Sequence, residues 1–195
     1  MKAKLIIILI LFFSIISSAQ TKQLSQEDNI RKALNSFVDQ MKNKNIDNAV
    51  EFIYPKYFKV VPKDQMKQIL NLTYNNPALD IKILEFKIAN IEKPEKINNE
   101  LFSLTNYTLK MNLKIDWLSI PNGQKMKSQI NEGLYKKFGK DNVKYISSGD
   151  YYLINSEMIA CAVSNNGKEW KFLILDEGYK PQLINILPKK IIEKI

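Results

Sequence analysis

The side chains able to do chemistry in this chain are few in kind. Its 195 residues include no histidine and a single cysteine. Without imidazole there is no Ser-His-Asp or Cys-His nucleophile pair, and zinc sites built on imidazole are excluded with them. Cys161 lies in the apolar run MIACAV, which predicts a small buried hydrophobe with no histidine beside it to lower the thiol pKa. The phosphate-binding loop, the dinucleotide fingerprint and the nucleophile elbow do not occur as patterns. Calcium needs clustered acids, whereas Asp47, Asp80, Asp116 and Asp150 are scattered. No cofactor or metal is assigned on these grounds.

Carboxylate and tyrosine chemistry remains. A buried acid with a raised pKa can take a proton from beside a carbonyl while a phenol steadies the oxyanion. Glu51, Asp80, Glu85 and Glu100 are the acids nearest apolar surroundings, and Tyr54, Tyr57, Tyr74 and Tyr107 are the phenols to partner them. No spacing pairs any acid with any tyrosine, and each acid fits a solvent-facing position on an amphipathic element or a turn. Phe37, Phe52, Tyr107, Trp117, Trp170 and Phe172 fall on faces expected to be inside, so core packing is their first role. The residues singled out as pocket rim or lining are Tyr54, Tyr57, Tyr74, Tyr107, Trp117, Trp170 and Phe172, and none is assigned as catalytic.

The elements that must position these residues follow from periodicity. Ser25-Gln26-Glu27-Asp28 is a capping-box variant, and behind it Ile30, Leu34, Phe37, Val38 and Met41 recur at helical spacing. Asp47 is expected to cap a second, shorter helix carrying Val50, Phe52 and Ile53, which Pro55 ends. An extended piece over 57–61 leads to Pro62 at the first turn of a third helix, with Met66, Ile69, Leu70, Thr73 and Tyr74 as its inner stripe. Tyr54-Pro55-Lys56-Tyr57 is therefore a helix break first, and a pocket rim only where a pocket lies beside it.

From Asp80 the period drops to two. Leu84, Phe86 and Ile88 share a phase that Ile81 and Ile83 do not, which predicts a bulge or a strand covered on both faces. In SLTNYTLKMNLKIDW, Tyr107, Leu109, Met111, Leu113, Ile115 and Trp117 alternate with polar residues, the mark of an antiparallel strand with one wet face. Met126, Ile130, Leu134 and Phe138 step by four ahead of Gly139 and predict a helix. Strands follow near 143–147, 151–154 and 158–164. Asn165-Asn166-Gly167 signals a hairpin with its return strand over 169–175, and a short helix after Pro188 closes the chain. Helices followed by antiparallel strands give an α+β class.

Residues 1–19 have the layout of a secretory leader: Lys2 and Lys4, an apolar run from Leu5 to Ile16, then small residues with cleavage between Ala19 and Gln20. The run is short for a bilayer span, which needs about 20 apolar residues, and the rival reading is an uncleaved anchor. Residues 20–195 are expected to form one domain, exported to the periplasm or the medium, with no later membrane span and no internal disulfide. The formal charge of +9, less the two leader lysines, leaves +7. Arg31 is the sole arginine, and arginine is the residue that reads guanine edges and clamps phosphate bidentately. Sequence-specific nucleic-acid binding is not expected, only diffuse attraction to anionic envelope components.

The element order carries one resemblance. The passage MKNKNIDNAVEFIYPKYF is similar to the join between the first two helices of the nuclear transport factor 2-like superfamily, also called ketosteroid isomerase-like or cystatin-like α+β. GKEWKFLIL is similar to its last sheet strand. The likeness spans roughly Gln26 to Asp176, and the helix expected over 127–138 departs from it. The resemblance implies an exported bacterial member with a curved, mostly antiparallel sheet wrapped around N-terminal helices into a cone, whose open end holds a small apolar ligand. The family's enzymes use acids or histidines facing that cavity, and no position here matches them. The expected function is non-catalytic binding of a hydrophobic small molecule or an envelope protein. The alternative is an isomerase- or dehydratase-type enzyme using a cavity carboxylate and tyrosine, and the number of acids facing the cavity separates the two. Oligomeric state is left open, a homodimer included.

Overall fold

A computed structural model describes residues 24–194, so the leader and its Ala19–Gln20 junction lie outside the described residues. Helix α1 (Gln26–Lys42) begins on the expected capping box. Ser25 Oγ accepts the Asp28 amide at 3.1 Å and Asp28 Oδ2 accepts the Ser25 amide at 3.2 Å, satisfying two backbone donors reciprocally. Ile30, Leu34, Val38 and Met41 are buried along its apolar face. Helix α2 (Ile46–Val50) buries Ile46, Ala49 and Val50. Asp47 does not cap it. Burial of Ile46 draws the helix start back to Asn45, and Asp47 sits inside the first turn, paired with Lys67 at 2.7 Å.

The stretch expected to be extended is wound into a 3₁₀ turn, Pro55–Lys59, in which the Tyr57 and Val60 amides donate to the Tyr54 and Tyr57 carbonyls at 2.9 and 2.8 Å. Pro55 stands at the first position of this turn, where its fixed φ suits a helical start. Helix α3 (Lys63–Tyr74) follows directly on Pro62.

The fold is α+β, with an open antiparallel sheet curved around the N-terminal helices. Its strands are β1 (Leu79–Ile91), β2 (Glu95–Ile97), β3 (Glu100–Ile115), β4 (Val143–Ile146), β5 (Tyr151–Ser164) and β6 (Lys171–Leu175). The long strands β3 and β5 pair from Leu101↔Ser164 to Lys114↔Tyr151. Beyond β3 runs β1, with β2 beside the start of β3; beyond β5, β4 covers one end and β6 the other. The region 151–164 is one strand and not two, because polar Asn155-Ser156-Glu157 stays in the ladder opposite Thr108, Leu109 and Lys110. The hairpin into β6 is wider than an Asn-Gly turn. Ser164 Oγ and Asn166 Oδ1 accept four amides of the loop, and Gly167 takes φ +70°, so β6 starts at Lys171.

The β1 ladder skips Leu84 and Ala89. Each skip is a bulge that re-phases the strand and bends it. Ile81, Ile83, Phe86, Ile88 and Ile91 therefore all stand opposite odd-numbered residues of β3 and share their face. Leu84, expected inside with Phe86, is the extra residue and is 48% exposed.

That shared face carries the helices. Ile30 and Leu34 of α1 pack on Tyr107, Ala160, Ala162 and Phe172. Farther along the same strands, helix α4 (Gly123–Phe138) lays Ile130, Leu134 and Phe138 against Trp117, Val143 and Tyr152. The opposite face is covered at one end only. There Phe102, Leu104, Cys161 and Val163 meet Leu183 of α5 (Lys180–Leu183), Leu187, and Ile191 and Ile192 of α6 (Lys189–Ile192).

Candidate functional site

Helix α3 is amphipathic, yet it buries no residue completely. Its apolar stripe faces a space. Two ion pairs fasten the helix to α2 and the turn after it, Lys67–Asp47 at 2.7 Å and Lys63–Glu51 at 2.6 Å, while Met66, Leu70 and Tyr74 form one wall of a cavity of about 400 Å³. Phe37, Val38 and Met41 of α1 form a second wall, and Ile83, Tyr107 and Leu109 of the sheet form the floor. Tyr57 from the 3₁₀ turn, Phe172 and Ile174 from β6, and Tyr179 and Leu183 from the C-terminal segment complete it. The mouth is marked by three residues that line the cavity and are also exposed: Ile69 at 45%, Ile174 at 41% and Tyr179 at 49%.

Among the described residues, none that lines the cavity carries a charge. The side-chain polarity of the walls is supplied by the hydroxyls of Tyr57, Tyr74, Tyr107 and Tyr179, with the soft thioethers of Met41 and Met66 among the apolar groups. Burial pushes the pKa of Tyr107 and of Tyr74 upward, and the two phenols lie close enough for Tyr74 to add to the shift at Tyr107. Tyr57 is raised by burial and then by Tyr179. Tyr57, Tyr74 and Tyr107 are therefore protonated donors at neutral pH.

Of the residues named from sequence, Tyr57, Tyr74, Tyr107 and Phe172 meet at this cavity. Tyr54, Trp117 and Trp170 do not. Tyr54 points to the other side of the sheet end, into the cluster with Phe102 and Leu173, held there because its amide bonds the Phe172 carbonyl at 3.0 Å. Its hydroxyl donates to Glu100 Oε1 at 2.8 Å, and Lys56 Nζ donates to Glu100 Oε2 at 2.7 Å. Burial first, with the Glu100 hydrogen bond adding and Lys56 opposing, lifts the Tyr54 pKa to about 12. Tyr54 and Glu100 border a separate pocket of about 150 Å³ with Ser164, Asn166 and Lys171. Trp170 is core between α1 and β5, its Nε1 donating to the Gly167 carbonyl at 3.3 Å.

Trp117 belongs to the docking of α4. Lys127 Nζ sits 5.5 Å from the Trp117 ring centroid and 4.5 Å from that of Tyr145, and it donates to Tyr145 Oη at 3.0 Å. Tyr145 Oη donates in turn to Asp150, and Tyr152 Oη to Asn131. Lys127 and Asn131, one turn apart, are the polar staple of a helix whose apolar residues are only partly covered.

Of the other acids considered, Glu51 pairs with Lys63, Asp80 with Lys82, and Glu85 with Lys110 and Lys87; none lines the large cavity. Cys161 is fully buried and its thiol is pushed up to about 12 by desolvation. Tyr179 and Leu183 were not singled out from sequence, since neither falls in a periodic run. Met66 and Leu70 form the expected inner stripe, which packs in part against Met41, Ile46, Ala49 and Val50 and also lines the cavity. Among the described residues, no helix is long and apolar enough to cross a membrane. Comparison of the chain with protein-family models, with curated proteins and with solved structures finds no match.

Proposed function

We propose that this chain is a non-catalytic binding domain whose cavity takes a hydrophobic small molecule, in an architecture of the nuclear transport factor 2-like kind, and that the leader over residues 1–19 exports it. One observation carries the binding reading: a space of about 400 Å³ between helices and sheet is walled, among the described residues, by uncharged side chains. Protein interiors are packed with few voids larger than a water molecule, and apolar clefts of roughly 300–1,000 Å³ are where small molecules bind. Ligand burial there is favoured by about 25 cal/mol for each Å² of apolar surface removed from water. The kinship is supported by element order, with α1, α2 and α3 ahead of the strands and α1 lying on the sheet. The rival reading, proton abstraction by a carboxylate beside a tyrosine, has one pocket-bordering pair in its favour, Tyr54 and Glu100, the other tyrosine–carboxylate pair, Tyr145 and Asp150, lying at the docking of α4. The pocket that Tyr54 and Glu100 border is the smaller one, and Lys56 already holds the Glu100 carboxylate.

Native mass spectrometry tests the reading. The chain expressed with its leader and purified from the exported fraction is expected to carry a noncovalent apolar adduct, which Leu70→Trp, filling the cavity from α3, abolishes. Equal adduct loading in wild type and Leu70→Trp contradicts it.

A further inference from the structure

Three tyrosines outside the large cavity spend their hydroxyls on side-chain oxygens: Tyr54 on Glu100, Tyr145 on Asp150 and Tyr152 on Asn131. The phenols inside it do not. Tyr107 is 6% exposed, and the one group its hydroxyl reaches is Met158 Sδ at 3.6 Å, a weak acceptor. Tyr74, half-buried across the cavity on α3, makes no side-chain hydrogen bond among the described residues. A phenol taken out of water ordinarily finds a hydrogen-bond partner. Here two neighbouring phenols, one from a helix and one from the sheet, line a common space, and the sole acceptor either has among the described residues is the weak Met158 Sδ. Tyr57 and Tyr179 are a different case, since Tyr179 stands at the mouth where water reaches it.

We propose that Tyr74 and Tyr107 together read one uncharged oxygen, a carbonyl or hydroxyl, on an otherwise apolar ligand. A carbonyl oxygen has two lone pairs and accepts from both phenols at once. Carboxylates and amines are rejected, because among the described residues neither cation nor anion lines the cavity and an ion brought into it loses its hydration without a partner. The cavity thus selects for ketones, alcohols and esters over fatty acids. This inference rests on the cavity being a ligand site, and its test separates the two ideas.

The test compares three probes of one shape: acetonaphthone, with a neutral carbonyl; ethylnaphthalene, with no oxygen; and naphthoate, with a charge. Binding is read by calorimetry on the wild-type chain and on Tyr74→Phe/Tyr107→Phe, which keeps both rings in place. Acetonaphthone is expected to bind about fivefold tighter than ethylnaphthalene, the worth of a net hydrogen bond, and naphthoate the weakest of the three. The double substitution removes the ketone's advantage over ethylnaphthalene. A ketone no tighter than the hydrocarbon, an advantage that survives the double substitution, or naphthoate as the tightest probe each overturns the oxygen-reading role while the apolar site stands. Failure of all three probes to bind overturns both.

Discussion

Thr105 and Ser103 sit two residues apart on β3, both buried, with opposite hydrogen-bond fates. Ser103 Oγ donates to the Glu92 carbonyl at 2.5 Å, whereas Thr105 Oγ1 is buried with no partner among the described residues. Burying a hydroxyl without a partner costs free energy, and replacing it by an apolar group of the same shape is neutral or favourable. Thr105→Val is therefore expected to raise stability by about 1 kcal/mol, and Ser103→Ala to lower it by about as much; urea denaturation reads both. Loss of stability in Thr105→Val means that the hydroxyl has a partner. At the same scale, Cys161 and Tyr54 set a pH limit. Their pKa values rise on folding from ordinary values of 9.0 and 10.0 to about 12. The folded state holds these protons more tightly than the unfolded chain, so the stability they contribute is full below about pH 9 and is lost as pH climbs toward about 12. The urea midpoint is expected to fall over that window, and to fall less steeply in Cys161→Ala. Identical slopes in the two proteins contradict the assignment to the thiol.

Single elements show where periodicity is sufficient and where it is not. Helix α1 and strand β3 were legible because each carries a complete stripe, and α1 also carries its own capping box. The two phases of apolar residues in β1 were legible too, as a bulge. Which residue would be extruded was not, because Leu84 matches Phe86 and Ile88 in phase and only the pairing with β3 decides. Leu84→Lys is expected to shift stability by less than about 0.5 kcal/mol, while Ile83→Lys, which puts an unpaired charge against the cavity floor, is expected to cost more than about 2 kcal/mol. Thermal denaturation of both variants checks this, and a reversed order would move the bulge. The stripe on α3 was read correctly from Met66, Leu70 and Tyr74, yet the cavity was not visible in it. Spacing reports which side of a helix is apolar and says nothing of how far away the opposing wall stands. Tyr54 is expected at a pocket rim from its polar tip at an element boundary, and Trp117 from its aromatic ring. A backbone bond to Phe172 turns the first toward the other core, and the lysine of α4 covers the second.

Across the whole molecule, the two faces of one sheet are used differently. One end is sandwiched between α1 and the short C-terminal helices. The other is covered on one side, by α4, through partly buried side chains and the Lys127–Asn131 staple. Between α1 and α3 the apolar layer is left unfilled. The residues that finish the cavity come from the 3₁₀ turn, β6 and the C-terminal segment, far apart in the chain, which is why Tyr179 and Leu183 carry no local signal of their role. Binding of an apolar molecule between helix and sheet is the central claim, and the methionines report on it by position. Met41 and Met66 line the cavity, and Met126 is exposed on α4. The most direct measurement is a titration of the methyl-¹³C-methionine chain with ethylnaphthalene, followed by NMR. Saturable shifts of the Met41 and Met66 methyls, with Met126 unmoved, are the expected result. Methyl signals of Met41 and Met66 that stay fixed at saturating probe, or shifts confined to Met126, would contradict it.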